Sequence, residues 1–328
     1  MSAQKRRSPR VMHVGIGLVP GSKMKDMIEA GFEFIVFLAD WHSWINNKLG
    51  GMMENIRTCG EYFKECFTAL GIPPSKAKYL WTSDIAKDIE YWEKVIRIAK
   101  TASLQRTWRA LPIMGREMSL ADMETAWVYY PCMQAADIFQ MELDVACAGM
   151  DQRKAHMLAR DAAEKLSWRK PVCVHTPLLM GLQRPEPGEG QFDEDTKINL
   201  QISSKMSKSV PTSCIFVHDS PETIKKKIDA AYCPPEQAIG NPILELAKRV
   251  VFTEKKSVEI QRPVKYGGSE TFGSYKELEK AYVKGNLHPL DLKNGMVEAL
   301  TEILRPVREH FHNHPKNLKK MMELEITR

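Results

Sequence analysis

Six consecutive apolar residues, Phe34, Ile35, Val36, Phe37, Leu38 and Ala39, end abruptly at Asp40. A strand with one wet face alternates apolar and polar side chains. This run does not alternate, so it reads as a strand buried on both faces, as in a parallel sheet. Parallel strands need a crossover connection, and the chain supplies one. Ile56, Tyr62, Phe63, Cys66, Phe67 and Leu70 recur at helical spacing from Met52 to Leu70; Gly71 ends that helix and Pro73-Pro74 keep it from resuming. A helical stretch from Ser22 to Ala30 precedes the strand, and Tyr79-Leu80-Trp81 follows as a second strand. Strand, helix, strand in that order favours a doubly wound α/β domain.

The 328 residues suggest roughly two such units. With 43% apolar and 27% charged residues, bulk disorder is excluded. A net charge of +6 does not by itself predict nucleic-acid binding. No apolar run approaches the ~18 residues of a membrane span, since Phe32–Ile45 contains Glu33, Asp40 and His42. The basic start Met1–Ser8 leads into no apolar stretch, so no secretory signal is read there. Seven cysteines, at 59, 66, 132, 147, 173, 214 and 233, form no CxxC pair. That argues against a disulfide framework or a zinc cluster and for reduced thiols in the cytoplasm.

Further along, Asp84 to Arg116 reads as helical and basic, and a helix from about Ala121 to Phe139 is interrupted by Pro131. Val145–Gly149 and Val172–Val174 read as strands, with Asp151 as the N-cap of a helix over Gln152–Leu166. The segment from Gln183 to about Val210 is acidic and rich in Pro and Gly, and is expected to be a mobile surface loop. Beyond it Ser220–Ala231, Asn241–Val251, Ser274–Lys284 and Asp291–Phe311 read as helices, so the second domain is mostly α. The expected division is 1–210 and 211–328, with a helical insertion over about 84–128.

Four constellations carry chemistry. His13–Gly17 (HVGIG) is a glycine-rich turn at a helix start, where backbone N–H groups can approach a phosphate; a plain glycine turn is the competing reading. Lys205, Ser207, Lys208 and Ser209, with Ser204 before them, form a basic, hydroxyl-rich segment that could close over a triphosphate. Tyr130, Gln134 and Asp137 stand at i, i+4 and i+7 on one helical stripe. Such a stripe either faces solvent or grips a small zwitterion with an aromatic end. Gly149–His156 (GMDQRKAH) places a turn and a capping Asp before a helix start, where an anion or substrate could sit.

Taken in order, HxGxG at 13–17, YPxMQxxDI at 130–138, GMDQRKxHMLAR at 149–160 and KMSKS at 205–209 resemble the tyrosyl-tRNA synthetases of the archaeal/eukaryotic type, a class I aminoacyl-tRNA synthetase family. The resemblance continues through Phe216–Glu222, Ala231–Pro235, Gly240–Pro242, Tyr266–Gly268 and Leu287–Lys293. It implies a Rossmann-like doubly wound catalytic domain and a helical anticodon-recognition domain. It implies that L-tyrosine attacks the α-phosphate of ATP, releasing pyrophosphate, and that a ribose hydroxyl of tRNA(Tyr) then attacks the adenylate. Magnesium would accompany ATP with no protein-caged metal, and the enzyme would be a homodimer.

By the same resemblance His13 and Gly15 match the ATP-contacting signature, and Lys205, Ser207 and Lys208 match the pyrophosphate-holding loop. Tyr130, Gln134 and Gln152 match the site for the substrate amino group, and Asp137 the acceptor for the tyrosine hydroxyl. Arg109, Arg153 and Lys154 match positions that meet the acceptor stem. Tyr266, His288 and Asp291 match the anticodon-facing set, although a capped turn accounts for His288 as well. The twelve residues before His13 lack the helix and strand with which the family usually opens. Reduced tyrosine activation is the corresponding expectation, with a catalytically impaired RNA-binding relative and a tryptophanyl enzyme as the other readings.

Overall fold

The computed structural model describes residues 11–115, 123–185, 196–206 and 211–324. The chain divides into two compact units that interleave along the sequence. One comprises 31–61 and 74–177; the other comprises residues up to 30, 62–73 and 178–323. Compactness therefore follows boundaries other than residue 210.

In the unit of residues 31–61 and 74–177, the apolar run forms β1 (Ile35–Leu38), paired in parallel with β2 (Lys78–Trp81), Ile35 opposite Lys78 and Leu38 opposite Trp81. The helix Met53–Ala69 provides the crossover. Gly60, inside that helix, is required by packing: a Cβ there would stand 2.2 Å from the Trp81 ring. β3 (Val145–Gly149) pairs in parallel with β4 (Val172–Thr176), joined through the helix Arg153–Leu166. Among the described residues the parallel ladders of this unit are two pairs, β1–β2 and β3–β4.

The helix Ile89–Thr101 starts at Asp88, whose side chain accepts from the Glu90 N–H, and Leu104–Ala110 starts at Ser103, which accepts from the Arg106 N–H. These helices, with Ala126–Gln140 and Arg153–Leu166, enclose a core that includes Tyr91, Val95, Ile98, Met133 and Leu158. Pro131 lies inside its helix, which continues through it.

Two expectations in this unit and the next are corrected. Asp151 is not an N-cap: Met150–Gln152 form a 3₁₀ turn that begins after Gly149, and the following helix starts at Arg153 with no side-chain cap. Within the expected loop 183–210, Thr196–Ser203 is helical. The rest of that expectation, at 186–195 and 207–210, falls outside the described residues.

In the other unit the chain before the first glycine turn runs beside residues 215–217. Val14 N–H donates to Ile215 O and Val217 N–H to Met12 O, each at 2.9–3.0 Å, and His13 pairs with Phe216 in an antiparallel bridge. Tyr62, fully buried, stacks on Phe311 at 5.6 Å and its hydroxyl accepts from the Met12 N–H. Helices follow at Val19–Glu29, Pro221–Asp229, Pro242–Leu246 and Tyr275–Val283. The expected helix over 291–311 is two helices, Pro289–Ile303 and Arg305–Asn313, and Lys316–Glu323 adds another. A short antiparallel pair, β5 (Val258–Ile260) and β6 (Glu270–Phe272), packs against Pro289–Ile303.

Candidate functional site

The stripe of Tyr130, Gln134 and Asp137 faces inward. Asp137 is only 3% exposed, which removes the solvent-facing reading. Its Oδ1 accepts from the Tyr91 hydroxyl at 3.0 Å, and its Oδ2 lies 3.1 Å from His42 Nε2, an ion-pair distance without hydrogen-bond alignment. His42 Nδ1 is 3.3 Å from Thr82 Oγ1, and the His42 ring meets the Tyr130 ring edge-on at 5.0 Å. A proton on Nε2 would face the carboxylate and leave Nδ1 to accept from the Thr82 hydroxyl. Burial, reinforced by the charge of Asp137, pushes the pKa of both the Tyr91 and Tyr130 hydroxyls up. Both stay neutral donors at physiological pH.

This carboxylate has company from two strand ends. His42 follows β1 and Thr82 follows β2, the carboxyl ends where open α/β sheets take their ligands. Asp40 ties the ends together: it accepts from the Trp41 and Ser83 N–H groups at 2.9 and 3.0 Å, from Ser83 Oγ at 2.6 Å and from Arg57 at 3.2 Å. His42, Thr82 and Tyr91 escaped the sequence reading. The signal for His42 was present, as a His two residues past Asp40 at the end of a buried strand.

Gln134 and Gln152 are joined by a side-chain hydrogen bond. Gln152 Nε2 donates to Ile113 O at 3.2 Å, so its Oε1 must accept, and it does so from Gln134 Nε2 at 3.1 Å. That network fixes both amide orientations. It leaves Gln134 Oε1 buried without a hydrogen-bond partner. A buried orphan acceptor costs about 1–3 kcal/mol, and a ligand ammonium would satisfy it. In the same unit His156, on Arg153–Leu166, lies 3.1 Å from His175 of β4. Burial and the neighbouring His175 bring the His156 pKa down to about 4.

In the other unit His13 is buried and precedes a single turn, Val14–Gly17. Neither Gly15 nor Gly17 has a positive φ; at both, space for a side chain is tight. A Cβ at Gly15 would sit 3.0 Å from the His13 ring and 3.2 Å from Leu179 Cβ, and one at Gly17 would sit 2.9 Å from Val217. The same Leu179 accepts from the Met206 N–H at 2.7 Å, while Met180 bridges Lys205. Residues 179–180 therefore border both the glycine turn and the start of the KMSKS segment. Ser207 and Lys208 lie outside the described residues.

Arg109 is exposed in the last turn of Leu104–Ala110, and Arg153 and Lys154, half-buried, open the helix Arg153–Leu166. Tyr266, exposed, ends a 3₁₀ turn. His288 is exposed and caps Pro289–Ile303 by accepting from the Leu290 N–H, with Asp291 in the first turn. The capped-turn role of His288 is thus present in the structure. No group of three or more His, Cys, Asp or Glu among the described residues could hold a metal ion. No helix among them is long and apolar enough to cross a membrane.

Comparison with known proteins sets this geometry in context. The family model for class I tRNA synthetases (W and Y) matches residues 8–305. The tyrosine–tRNA ligase of Aeropyrum pernix is 45% identical over 324 residues, covering 97% of this chain and 87% of that protein. The tyrosine–tRNA ligase of Thermococcus kodakarensis is 44% identical over 332 residues, covering 97% and 88%. Among solved structures, the tyrosyl-tRNA synthetase of Pyrococcus horikoshii in complex with L-tyrosine superposes with a TM-score of 0.88 at 41% identity, covering 96% of this chain and 88% of that one.

Proposed function

The chain belongs to the class I tRNA synthetases (W and Y), and on that premise we propose that it is a tyrosine–tRNA ligase whose tyrosine pocket is built around Asp137. The enzyme activates L-tyrosine with ATP and transfers it to tRNA(Tyr). The observation that carries the pocket is Asp137, buried and already accepting one phenolic hydroxyl from Tyr91. A carboxylate has about four acceptor positions, so a second phenol, the substrate's, can share it. Gln134 Oε1 is the buried acceptor that suits the α-ammonium, with Gln152 and Tyr130 beside it on the same reading.

No protein nucleophile is needed. The tyrosine carboxylate attacks the α-phosphate, and the residues' task is positioning and stabilisation of phosphate charge. His13 and Gly15 are assigned to ATP, and Lys205, Ser207 and Lys208 to the departing pyrophosphate. Magnesium would neutralise phosphate charge and be held through the ATP oxygens. Arg109, Arg153 and Lys154 are assigned to the acceptor stem, and Tyr266, His288 and Asp291 to the anticodon, within the helical second domain. A homodimer in the cytoplasm completes the reading. The test is tyrosine-dependent exchange of pyrophosphate into ATP, followed by charging of tRNA(Tyr). Exchange that answers to tryptophan, or to no amino acid, would overturn it.

A further inference from the structure

We infer that Arg262 is a positioning residue for tRNA reading, one that locks the Tyr266 turn to the His288 turn; this rests on the proposed role of Tyr266 and His288. Arg262 follows β5, and its side chain is 8% exposed although the turn around it is exposed. Its guanidinium makes three bonds to two segments, 268–270 and the turn at 286. Nε donates to Gly268 O at 3.0 Å, Nη1 to Asn286 O at 2.7 Å, and Nη2 to Glu270 Oε2 at 2.7 Å.

The first bond closes the turn that displays Tyr266. That turn is further held by Tyr266 and Gly268 N–H groups donating to Pro263 O, and it passes through Gly267 and Gly268 at φ +102 and +72, where glycine is favoured. The second bond fixes the turn that ends at buried Leu287 and releases His288 into its cap. Tyr266 itself is 62% exposed, its ring under the Lys265 ammonium at 4.8 Å. An exposed ring on a fixed backbone is a stacking platform for a base. A planar fork can serve two carbonyls and a carboxylate at once, whereas an ammonium is a single compact charge. Arg262 thereby sets the separation of two recognition elements that touch it only through main chain and Glu270.

The test uses the full chain and compares Arg262→Gln and Arg262→Lys with Tyr266→Ala. Readouts are KM and kcat for tRNA(Tyr) charging, the preference for the cognate anticodon over a transcript with one anticodon base changed, and the thermal midpoint. Arg262→Gln should raise KM for tRNA about tenfold with a much smaller change in kcat, and should narrow the anticodon preference. Arg262→Lys should show the same loss at an unchanged thermal midpoint, and it carries the test if the Gln variant unfolds. An unchanged KM and preference in Arg262→Lys, with Tyr266→Ala impaired, would overturn the inference alone. If Tyr266→Ala is also unimpaired, the reading of the surface itself falls.

Discussion

Asp137→Asn should convert the pocket from one that selects a phenol to one that does not, at little cost in stability. In the parent, Oδ1 accepts from Tyr91 at 3.0 Å and Oδ2 faces His42 Nε2 at 3.1 Å. An Asn side chain keeps the shape. Its Oδ1 can still accept from Tyr91, and its Nδ2 can donate to His42 Nε2 once the imidazole moves its proton to Nδ1 and donates to Thr82 Oγ1, 3.3 Å away. Both structural contacts survive, and the charged acceptor for a second hydroxyl is gone. A hydrogen bond to a charged group contributes about 1.5–3 kcal/mol, or about 10- to 150-fold. The kcat/KM for tyrosine in pyrophosphate exchange should fall by that factor. The value for phenylalanine, which has no hydroxyl to lose, should stay constant, so their ratio shrinks by the same factor. A thermal midpoint close to the parent's would confirm the fold. An unchanged tyrosine-to-phenylalanine ratio in a folded variant would refute the assignment of Asp137.

Other consequences can be measured directly. Gly295→Ala places a Cβ 2.4 Å from Ile260 Cδ1; overpacking costs about 1–3 kcal/mol against about 1 kcal/mol gained in helix propensity, so chemical denaturation should show a net loss of up to about 2 kcal/mol. His156 has a folded pKa near 4, below its ordinary 6.5, so the unfolded chain takes the proton first. Stability should be complete above about pH 7 and fall by about 3 kcal/mol as pH drops through 6.5 toward 4; a His156→Gln variant should lack that component in denaturant curves at the two ends. Lys208→Ala should slow single-turnover adenylate formation and leave tyrosine affinity nearly unchanged, because the role proposed for its charge begins when pyrophosphate charge develops. Normal adenylation by that variant would remove Lys208 from the reaction.

The sequence disclosed what local pattern can disclose. The unbroken run at 34–39 is β1, and the spacing of Tyr130, Gln134 and Asp137 does put them on one helical stripe. It could not disclose that Tyr91 and His42 meet Asp137, 46 and 95 residues away, because Tyr91 carries no local mark of polar machinery and the local signal at His42 names no distant partner. Tyr91 sits among core positions of an amphipathic helix. Asp151 misled because a 3₁₀ turn intervenes and moves the helix start to Arg153. The β5–β6 pair was missed because strands of three residues are too short for a period-2 pattern to register. The break at Leu304 did have a signal: Pro306 lies in the first turn of the next helix, a position proline favours.

The interleaving of the two units acquires a consequence when the chain is considered as it is being made. Both long spans of one unit, 31–61 and 74–177, have been made once residue 177 leaves the ribosome. The other unit by then has only its first thirty residues and 62–73, with Met12 and Tyr62 still lacking their late partners. Tyr62 waits for Phe311, and Met12 for Val217. At about 5–20 residues per second, the interval between residues 73 and 311 lasts about 10–50 s. During it the aromatic and sulfur-bearing side chains that will form a buried core are open to solvent and to neighbouring nascent chains. Slowing synthesis downstream of residue 177 should lengthen that exposure and raise the fraction of chains captured by chaperones or lost to aggregation.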